Sequence, residues 1–191
     1  SRVLSPTFVC RRVGFEEALG PNSLVVPDFL DFDHWLRVIS EVKPTFIVTC
    51  AGGTSNNLSP IELWRANAFL PTVLSKASVV ANTPLVHIST DCVFDGSRGQ
   101  YLSSDLPCPD DLYGVSKWAG ELISDSMVIR TSIIGRELSE ARTNRGLLDW
   151  FLSHPKGAIV YGFTRAFFSG VSTLELVNLL ERVIVSGGYQ K

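Results

Sequence analysis

A tyrosine and a lysine four residues apart, Tyr113 and Lys117, are the residues of this sequence best suited to acid–base chemistry. At the start of a helix this spacing places both side chains on one face, about one turn apart. A phenol, with an unperturbed pKa of about 10, is a poor acid at neutral pH, and a nearby ammonium lowers that pKa. The pair therefore predicts proton exchange between Tyr113 and a carbonyl or alcohol. Tyrosine and lysine are also common neighbours on helices that have no catalytic role.

Two hydroxyl side chains, Ser89 and Thr90, follow directly after the apolar run Pro84–Ile88. A hydroxyl at the carboxyl end of a strand is well placed to hydrogen-bond a substrate carbonyl. The same hydroxyls also suit a simpler role, in which they satisfy backbone groups of the loop. The three histidines and four cysteines show no zinc-type spacing, so the sequence predicts no metal site. Widely spaced cysteines favour a reduced, cytoplasmic protein.

The elements that must position these residues alternate between short apolar runs and longer amphipathic segments. The runs that predict strands are Thr7–Cys10, Ser23–Val26, Thr45–Cys50, Pro84–Ile88 and Met127–Arg130. The segments that predict helices are Asp33–Val42, Pro60–Ala81 with an interruption at Pro71, Tyr113–Ser124, Gly146–Ser153 and Ser172–Val185. This alternation predicts an α/β fold, a Rossmann-like doubly wound parallel sheet with helices on both faces. Such sheets bind ligands outside the carboxyl ends of their strands.

The composition is that of one globular domain spanning residues 1–191. Apolar residues make up 45% and charged residues 19% of the chain, which excludes a disordered protein. A net charge of −2 gives no electrostatic reason to expect nucleic acid or a membrane surface as a partner. No apolar run is long enough to span a bilayer, and the first residues lack the apolar stretch of a signal peptide.

Two motifs carry a resemblance to a known family. The run Ile88–Gly96, with the sequence ISTDCVFDG, precedes a proline-containing loop and the run Leu112–Glu121, with the sequence LYGVSKWAGE. In this combination the chain resembles the extended short-chain dehydrogenase/reductase superfamily and, within it, the dTDP-4-dehydrorhamnose reductases. The similarity extends over most of the chain, through Val128–Gly135 and Phe168–Leu176. It implies an NAD(P)H-dependent reductase of a 4-keto-deoxy-sugar carried on a nucleotide, often a homodimer.

The resemblance assigns roles to three catalytic residues. Thr90 would polarise the substrate carbonyl, and Tyr113 would donate a proton to the developing alkoxide. Lys117 would lower the pKa of the tyrosine and hydrogen-bond the nicotinamide ribose. Asp91 and Cys92, which follow Thr90, would join it beside the substrate. The segment from about residue 146 to 191 would contribute to the substrate lobe.

The resemblance also implies a set of residues that contact the cofactor. Ala51 and Gly52 would line the dinucleotide, Asp28 would lie near the adenine, and Asn67 would help to hold the strands of the active site. Arginine after the second strand can accommodate a 2′-phosphate, which favours NADP(H) over NAD(H); two solvated surface arginines are an equal alternative. The full set is Arg11, Arg12, Asp28, Ala51, Gly52, Asn67, Ser89, Tyr113 and Lys117.

The chain departs from the family pattern in two places. A glycine-rich turn and the helix after it, about twenty residues, are missing between Leu4 and Ser5. Three explanations stand: residues of the protein that this sequence omits, a deletion, or a relative without a cofactor. Asp91 is followed by Cys92 rather than by a second acid, which argues against dehydration. An epimerase-reductase would use Cys92 with a histidine such as His154, but a small loop residue is the preferred interpretation.

One alternative comes from another functional class. The regulatory β subunit of methionine adenosyltransferase is similar to the same reductases, so a non-catalytic NADP-binding scaffold shares this fold. Retention of Thr90, Tyr113 and Lys117 together favours an enzyme, because a scaffold needs none of them. His87, inside a strand, is expected to be a satisfied core residue rather than a ligand.

Overall fold

The computed structural model of the chain describes residues 6–10, 23–26, 28–54, 58–122, 125–136, 146–166 and 168–187. The chain divides into two compact units, Ser1–Ile129 with Gln190–Lys191, and Arg130–Tyr189. Both contain parallel strands and helices, so the α/β class predicted from the sequence is confirmed. Leu4 and Ser5, between which the sequence lacks the glycine-rich turn, lie outside the described residues, as do Arg11 and Arg12.

The strands of the first unit form two parallel groups. Strands β1 (Phe8–Cys10) and β2 (Ser23–Val25) pair with each other. Strand β4 (Leu85–Ile88) lies between β3 (Ile47–Thr49) and β5 (Met127–Ile129). All four residues of β4 are buried, as expected for a continuously apolar parallel strand that is covered on both faces.

The helices of the first unit begin where the sequence provides caps. Helix α1 (Phe32–Val42) starts at Asp31, whose Oδ1 accepts a hydrogen bond of 2.9 Å from the His34 N–H. Helices α2 (Pro60–Trp64) and α3 (Leu70–Val80) are joined by a π-helical turn over Arg65–Phe69. A 3₁₀ turn (Asp91–Val93) follows β4, and α4 (Leu112–Leu122) precedes β5.

The interruption predicted at Pro71 is the π-helical turn. Proline has no N–H to donate to the carbonyl four residues earlier, which here is that of Asn67. The Leu70 N–H instead reaches the Arg65 carbonyl, five residues back. Asn67 lies within this π-helical turn.

The core of the first unit lies between α1, α3 and β4. Its buried members are Val26, Trp35, Ile39, Leu70, Leu74, Ala77 and Leu85. The Trp35 indole Nε1–H is satisfied by the Phe29 carbonyl at 2.9 Å, so the ring is buried without an unpaired donor. This core fixes β4, and with it the residues that follow the strand.

The second unit contains a smaller parallel pair. Strand β6 (Ile133–Ile134) pairs with β7 (Val171–Ser172); helix α5 (Leu147–Leu152) lies between these strands in the chain, and α6 (Thr173–Ser186) follows β7. Ser172 caps α6, since its Oγ accepts from the Glu175 N–H at 3.1 Å. Within the described ranges, every helix is too short or too polar to reach across a bilayer.

Candidate active site

The first turn of α4 lies directly against the turn that follows β4. A Cβ built on Gly114 would lie 2.2 Å from the Cys92 carbonyl oxygen and 2.8 Å from the Pro109 Cβ, so only glycine permits this approach. Asp111 Oδ1 accepts a hydrogen bond from the Gly114 N–H at 2.7 Å and satisfies a free donor of the helix start. This approach brings the start of α4 beside the residues after β4.

Thr90 and Tyr113 meet at this contact. Thr90 is 4% exposed and extended, and its Oγ1 accepts from the Cys92 N–H at 3.1 Å. The Tyr113 phenol lies close enough for the Thr90 hydroxyl to affect its pKa. The structure therefore brings together the two groups that the sequence analysis expects to act on a carbonyl oxygen.

The prediction that the pKa of Tyr113 is lowered is wrong for this structure. Burial raises the pKa of the phenol above its usual value of 10, and the hydrogen bond from Thr90 opposes this only in part. Nearby Asp91 and Asp111 also raise the pKa, because their charges disfavour a phenolate. Tyr113 is therefore protonated at neutral pH and is able to donate.

Lys117 lies one helical turn after Tyr113 and is 4% exposed. Its Nζ donates a 2.8 Å hydrogen bond to the Ile88 carbonyl at the end of β4. Burial lowers the pKa of Lys117 from 10.5 to about 8, whereas the charge of Glu121 raises it. Cys50 lies on the other side of this ammonium, and burial raises the pKa of its thiol.

Asn67 links the turn after β3 to α4. It is fully buried, with its Oδ1 accepting from the Gly53 N–H at 2.9 Å and its Nδ2 donating to the Gly53 carbonyl at 3.0 Å. Nδ2 also donates to the Ser116 Oγ at 2.9 Å, and Ser116 donates to the Tyr113 carbonyl at 2.8 Å. The expectation that Asn67 holds the strands of the site together agrees with these bonds.

Gly52 lies between Asn67 and Lys117. A Cβ on Gly52 would be 3.1 Å from the Asn67 Oδ1 and 3.7 Å from the Lys117 Nζ. Ala51, beside it, is exposed. Of the predicted cofactor residues, Ala51, Gly52, Asn67 and Lys117 are thus grouped around one exposed backbone segment.

Ser89 contacts a residue that the sequence analysis did not single out. Its Oγ hydrogen-bonds the Glu121 Oε1, and its backbone N–H donates to the Ile129 carbonyl at 2.8 Å. Glu121 follows Lys117 by four residues, the spacing that places side chains on one helix face. The four-residue spacing of Lys117 and Glu121 is visible in the sequence and could have identified Glu121. Ser116 lies inside the tyrosine–lysine motif and could have been identified in the same way.

Asp91 and Cys92 lie beside the Thr90–Tyr113 contact. Cys92 is exposed, and its Sγ is 3.8 Å from the Asp91 Oδ1. Burial raises the pKa of the Cys92 thiol, and a hydrogen bond with Thr90 lowers it. The thiol is therefore neutral at pH 7 and acts here as a small polar group near the phenol.

The remaining predicted residues stand apart from these contacts. Asp28 is exposed after β2, where its Oδ1 accepts from the Leu30 N–H at 3.1 Å.

The expectation that His87 is a satisfied residue is wrong, because its ring is fully buried and neither ring nitrogen has a hydrogen-bond partner. Burial lowers its pKa to about 3, so the ring is neutral. No group of three or more metal-binding side chains occurs in the part of the chain that the structure describes.

The fold agrees with that of solved nucleotide-binding reductases. The crystal structure of dTDP-4-dehydrorhamnose reductase from Bacillus anthracis, in complex with NADP, matches 88% of this chain and 62% of that chain. The TM-score is 0.75 at 23% identity, which establishes the fold. The chain is thus an α/β protein with the Rossmann-type fold. The family model described as the RmlD substrate binding domain matches residues 17–142, and the chain belongs to this family. This confirms the resemblance.

Two relatives represent the two functional classes considered from the sequence. dTDP-4-dehydrorhamnose reductase of Aggregatibacter actinomycetemcomitans is 32% identical over 114 residues, 55% of this chain and 39% of that protein. Methionine adenosyltransferase 2 subunit beta of Pongo abelii is 31% identical over 97 residues, 49% of this chain and 29% of that protein. The chain therefore spans less than half the length of these relatives.

Proposed function

We propose that this protein is an NADPH-dependent reductase of a 4-keto-deoxy-sugar carried on a nucleotide. The observation that carries the proposal is the close approach of the first turn of α4, at Gly114, to the turn after β4, which brings Tyr113 beside Thr90 and the buried Lys117. Family membership and similarity to dTDP-4-dehydrorhamnose reductases support the substrate class. The segment from about residue 146 to 191 would contribute the substrate lobe.

The described residues fit the nicotinamide end of a dinucleotide. The space beside Gly52 that a Cβ would fill leaves backbone open next to the Lys117 ammonium, a donor suited to ribose hydroxyls. When bound, the dinucleotide supplies the hydride that the reduction consumes. NADP(H) is favoured because the Bacillus anthracis reductase was solved with NADP, and Arg11 or Arg12 would meet the 2′-phosphate.

The chain's own residues supply the proton and hold the carbonyl. Thr90 and Tyr113 donate hydrogen bonds to the substrate oxygen, which become stronger as negative charge develops on it. Tyr113, which is protonated at neutral pH, then gives its proton to the alkoxide, a much stronger base than the phenolate. Lys117, with a pKa of about 8, is mainly cationic at pH 7 and stabilises the phenolate that remains.

The test is the rate of NADPH oxidation by the purified protein with dTDP-4-dehydro-sugars. We expect Tyr113→Phe to lower kcat by about 10²- to 10⁴-fold, the usual range for a lost acid catalyst, while NADPH fluorescence titration still shows saturable binding. Tyr101→Phe removes the same hydroxyl from a phenol that donates to Asp95 in an exposed loop, and should retain wild-type turnover. Wild-type turnover by Tyr113→Phe would exclude this phenol as the acid.

A non-catalytic NADP-binding regulatory subunit is the second candidate, favoured by the similarity to methionine adenosyltransferase 2 subunit beta. In that case NADPH binding persists, no keto-sugar is reduced, and the protein copurifies with a catalytic partner. Turnover that depends on Tyr113 would exclude this candidate. A homodimer, which the family resemblance implies, would appear as twice the chain mass in light scattering.

A further inference from the structure

Two side chains on one face of α4 hold two consecutive residues at the end of β4. The Lys117 Nζ donates to the Ile88 carbonyl at 2.8 Å, and the Glu121 Oε1 accepts from the Ser89 Oγ. Ser89 is 5% exposed, and Thr90 comes next in the chain. The position of Thr90 therefore depends on both contacts, since a strand end that is fixed at two successive residues cannot rotate freely.

We propose that Glu121 is a positioning residue of the candidate active site: it holds Ser89 so that Thr90 faces Tyr113, and it places an acidic side chain one helical turn from the buried Lys117. The inference rests on the proposed reductase function for its effect on turnover. The two hydrogen bonds between α4 and the end of β4 do not depend on the reductase function.

The charge argument follows from the groups that face Lys117. They are Glu121 on α4, His87 on β4 and Cys50 after β3. Burial lowers the pKa of His87 to about 3 and raises that of Cys50, so both are neutral at pH 7. Glu121 is the acidic member of this group, and its charge opposes the effect of burial on the Lys117 pKa.

Three substitutions separate the two roles. Glu121→Gln removes the charge, but its amide oxygen still accepts from Ser89. Ser89→Ala removes the hydrogen bond and keeps the charge. Glu121→Asp keeps the charge on a shorter side chain that no longer reaches Ser89, and provides a second test of the hydrogen bond. Glu41→Gln, the same change at an exposed position on α1, is the matched control.

The first readout is the titration of Lys117, followed by NMR of ¹³Cε-labelled lysine in the purified protein and assigned with Lys117→Arg. We expect Glu121→Gln to lower the Lys117 midpoint by about one pH unit, whereas Ser89→Ala, Glu121→Asp and Glu41→Gln retain the wild-type midpoint. At pH 7.5, a fall from about 8 to about 7 reduces the protonated fraction about threefold. The basic limb of the pH–rate profile should move by the same amount.

The second readout is turnover at saturating substrate. We expect Ser89→Ala and Glu121→Asp to lower kcat about tenfold with little change in KM, because Thr90 is displaced from the reacting oxygen. Equal Lys117 midpoints in wild type, Glu121→Gln and Glu41→Gln, together with wild-type kcat in Ser89→Ala, would overturn the inference. A shifted midpoint in a protein that reduces no keto-sugar would retain the positioning role and reject the reductase function instead.

Discussion

Replacing Asn67 by leucine should destabilise the first unit, because this side chain joins three parts of the candidate site. Leucine has nearly the same branched shape but makes none of the three hydrogen bonds of 2.9, 3.0 and 2.9 Å to Gly53 and Ser116. The substitution therefore removes polar contacts with little change in volume. Asn67 is fully buried, so water cannot take its place without a rearrangement of the π-helical turn.

The expected cost follows from the number of bonds lost. A buried hydrogen bond contributes about 1 kcal/mol net, and a partner left unsatisfied costs about 1–3 kcal/mol. Three bonds give about 3 kcal/mol, with the half-buried Gly53 able to recover part of its loss from solvent. With a urea m-value of about 2 kcal/mol/M, the midpoint of unfolding should fall by about 1.5 M.

The assay is equilibrium unfolding in urea, followed by far-UV circular dichroism. Asn178→Leu is the matched control, because Asn178 is exposed on α6 and should change the free energy of unfolding by less than about 0.5 kcal/mol. If Asn67→Leu also changes the free energy of unfolding by less than about 0.5 kcal/mol, Asn67 does not join these segments. A lower midpoint accompanied by weaker NADPH binding would also connect the Gly52–Gly53 turn to the cofactor.

For two further substitutions, the contacts of the first unit determine whether the free energy of unfolding rises or falls. Gly120→Ala should lower the free energy of unfolding by about 2 kcal/mol despite the better helix propensity of alanine, since its Cβ would lie 2.2 Å from the Asn67 carbonyl oxygen; a rise in the urea midpoint would contradict this. His87→Leu should stabilise the protein increasingly as pH falls from 6.5 toward 3. The folded pKa of His87, about 3, lies below its unfolded value, so the unfolded state takes up the proton first and wild-type stability is lost in this window, by about 3 kcal/mol at pH 4. Parallel stability–pH curves for the two proteins would refute the assignment.

The elements of the fold were predictable because their signals are local. The apolar run at β4 and the aspartate before α1 determine a buried strand and a capped helix within a few residues of the chain. The close approaches of Gly114 and Gly120 were not predictable, because each involves a backbone carbonyl distant in sequence. Pro71 signalled an interrupted helix, but whether it would be a break, a kink or a π-helical turn depends on the packing against α4.

The sequence predicted which residues meet at the candidate site better than it predicted the direction of their pKa shifts. The spacing of Tyr113 and Lys117 places them on one helix face, and Thr90 reaches the phenol as expected. The direction of the tyrosine pKa was wrong because burial, a property of the folded protein, and the nearby Asp91 and Asp111 all raise it. His87 was assigned correctly to the interior, yet its unpaired nitrogens could not be foreseen from its place in an apolar strand.

Burial acts on the two members of the acid–base pair in opposite directions. It raises the pKa of Tyr113 and lowers that of Lys117, and in both cases it favours the neutral form. A neutral phenol suits a proton donor, whereas a neutral amine could not stabilise the phenolate left after transfer. An anion near the buried Lys117 opposes this effect, because its charge raises the pKa of the ammonium. Glu121 lies one turn later on the same helix and acts in this direction, so the tyrosine–lysine spacing alone leaves out one of the charges that set the pKa of Lys117.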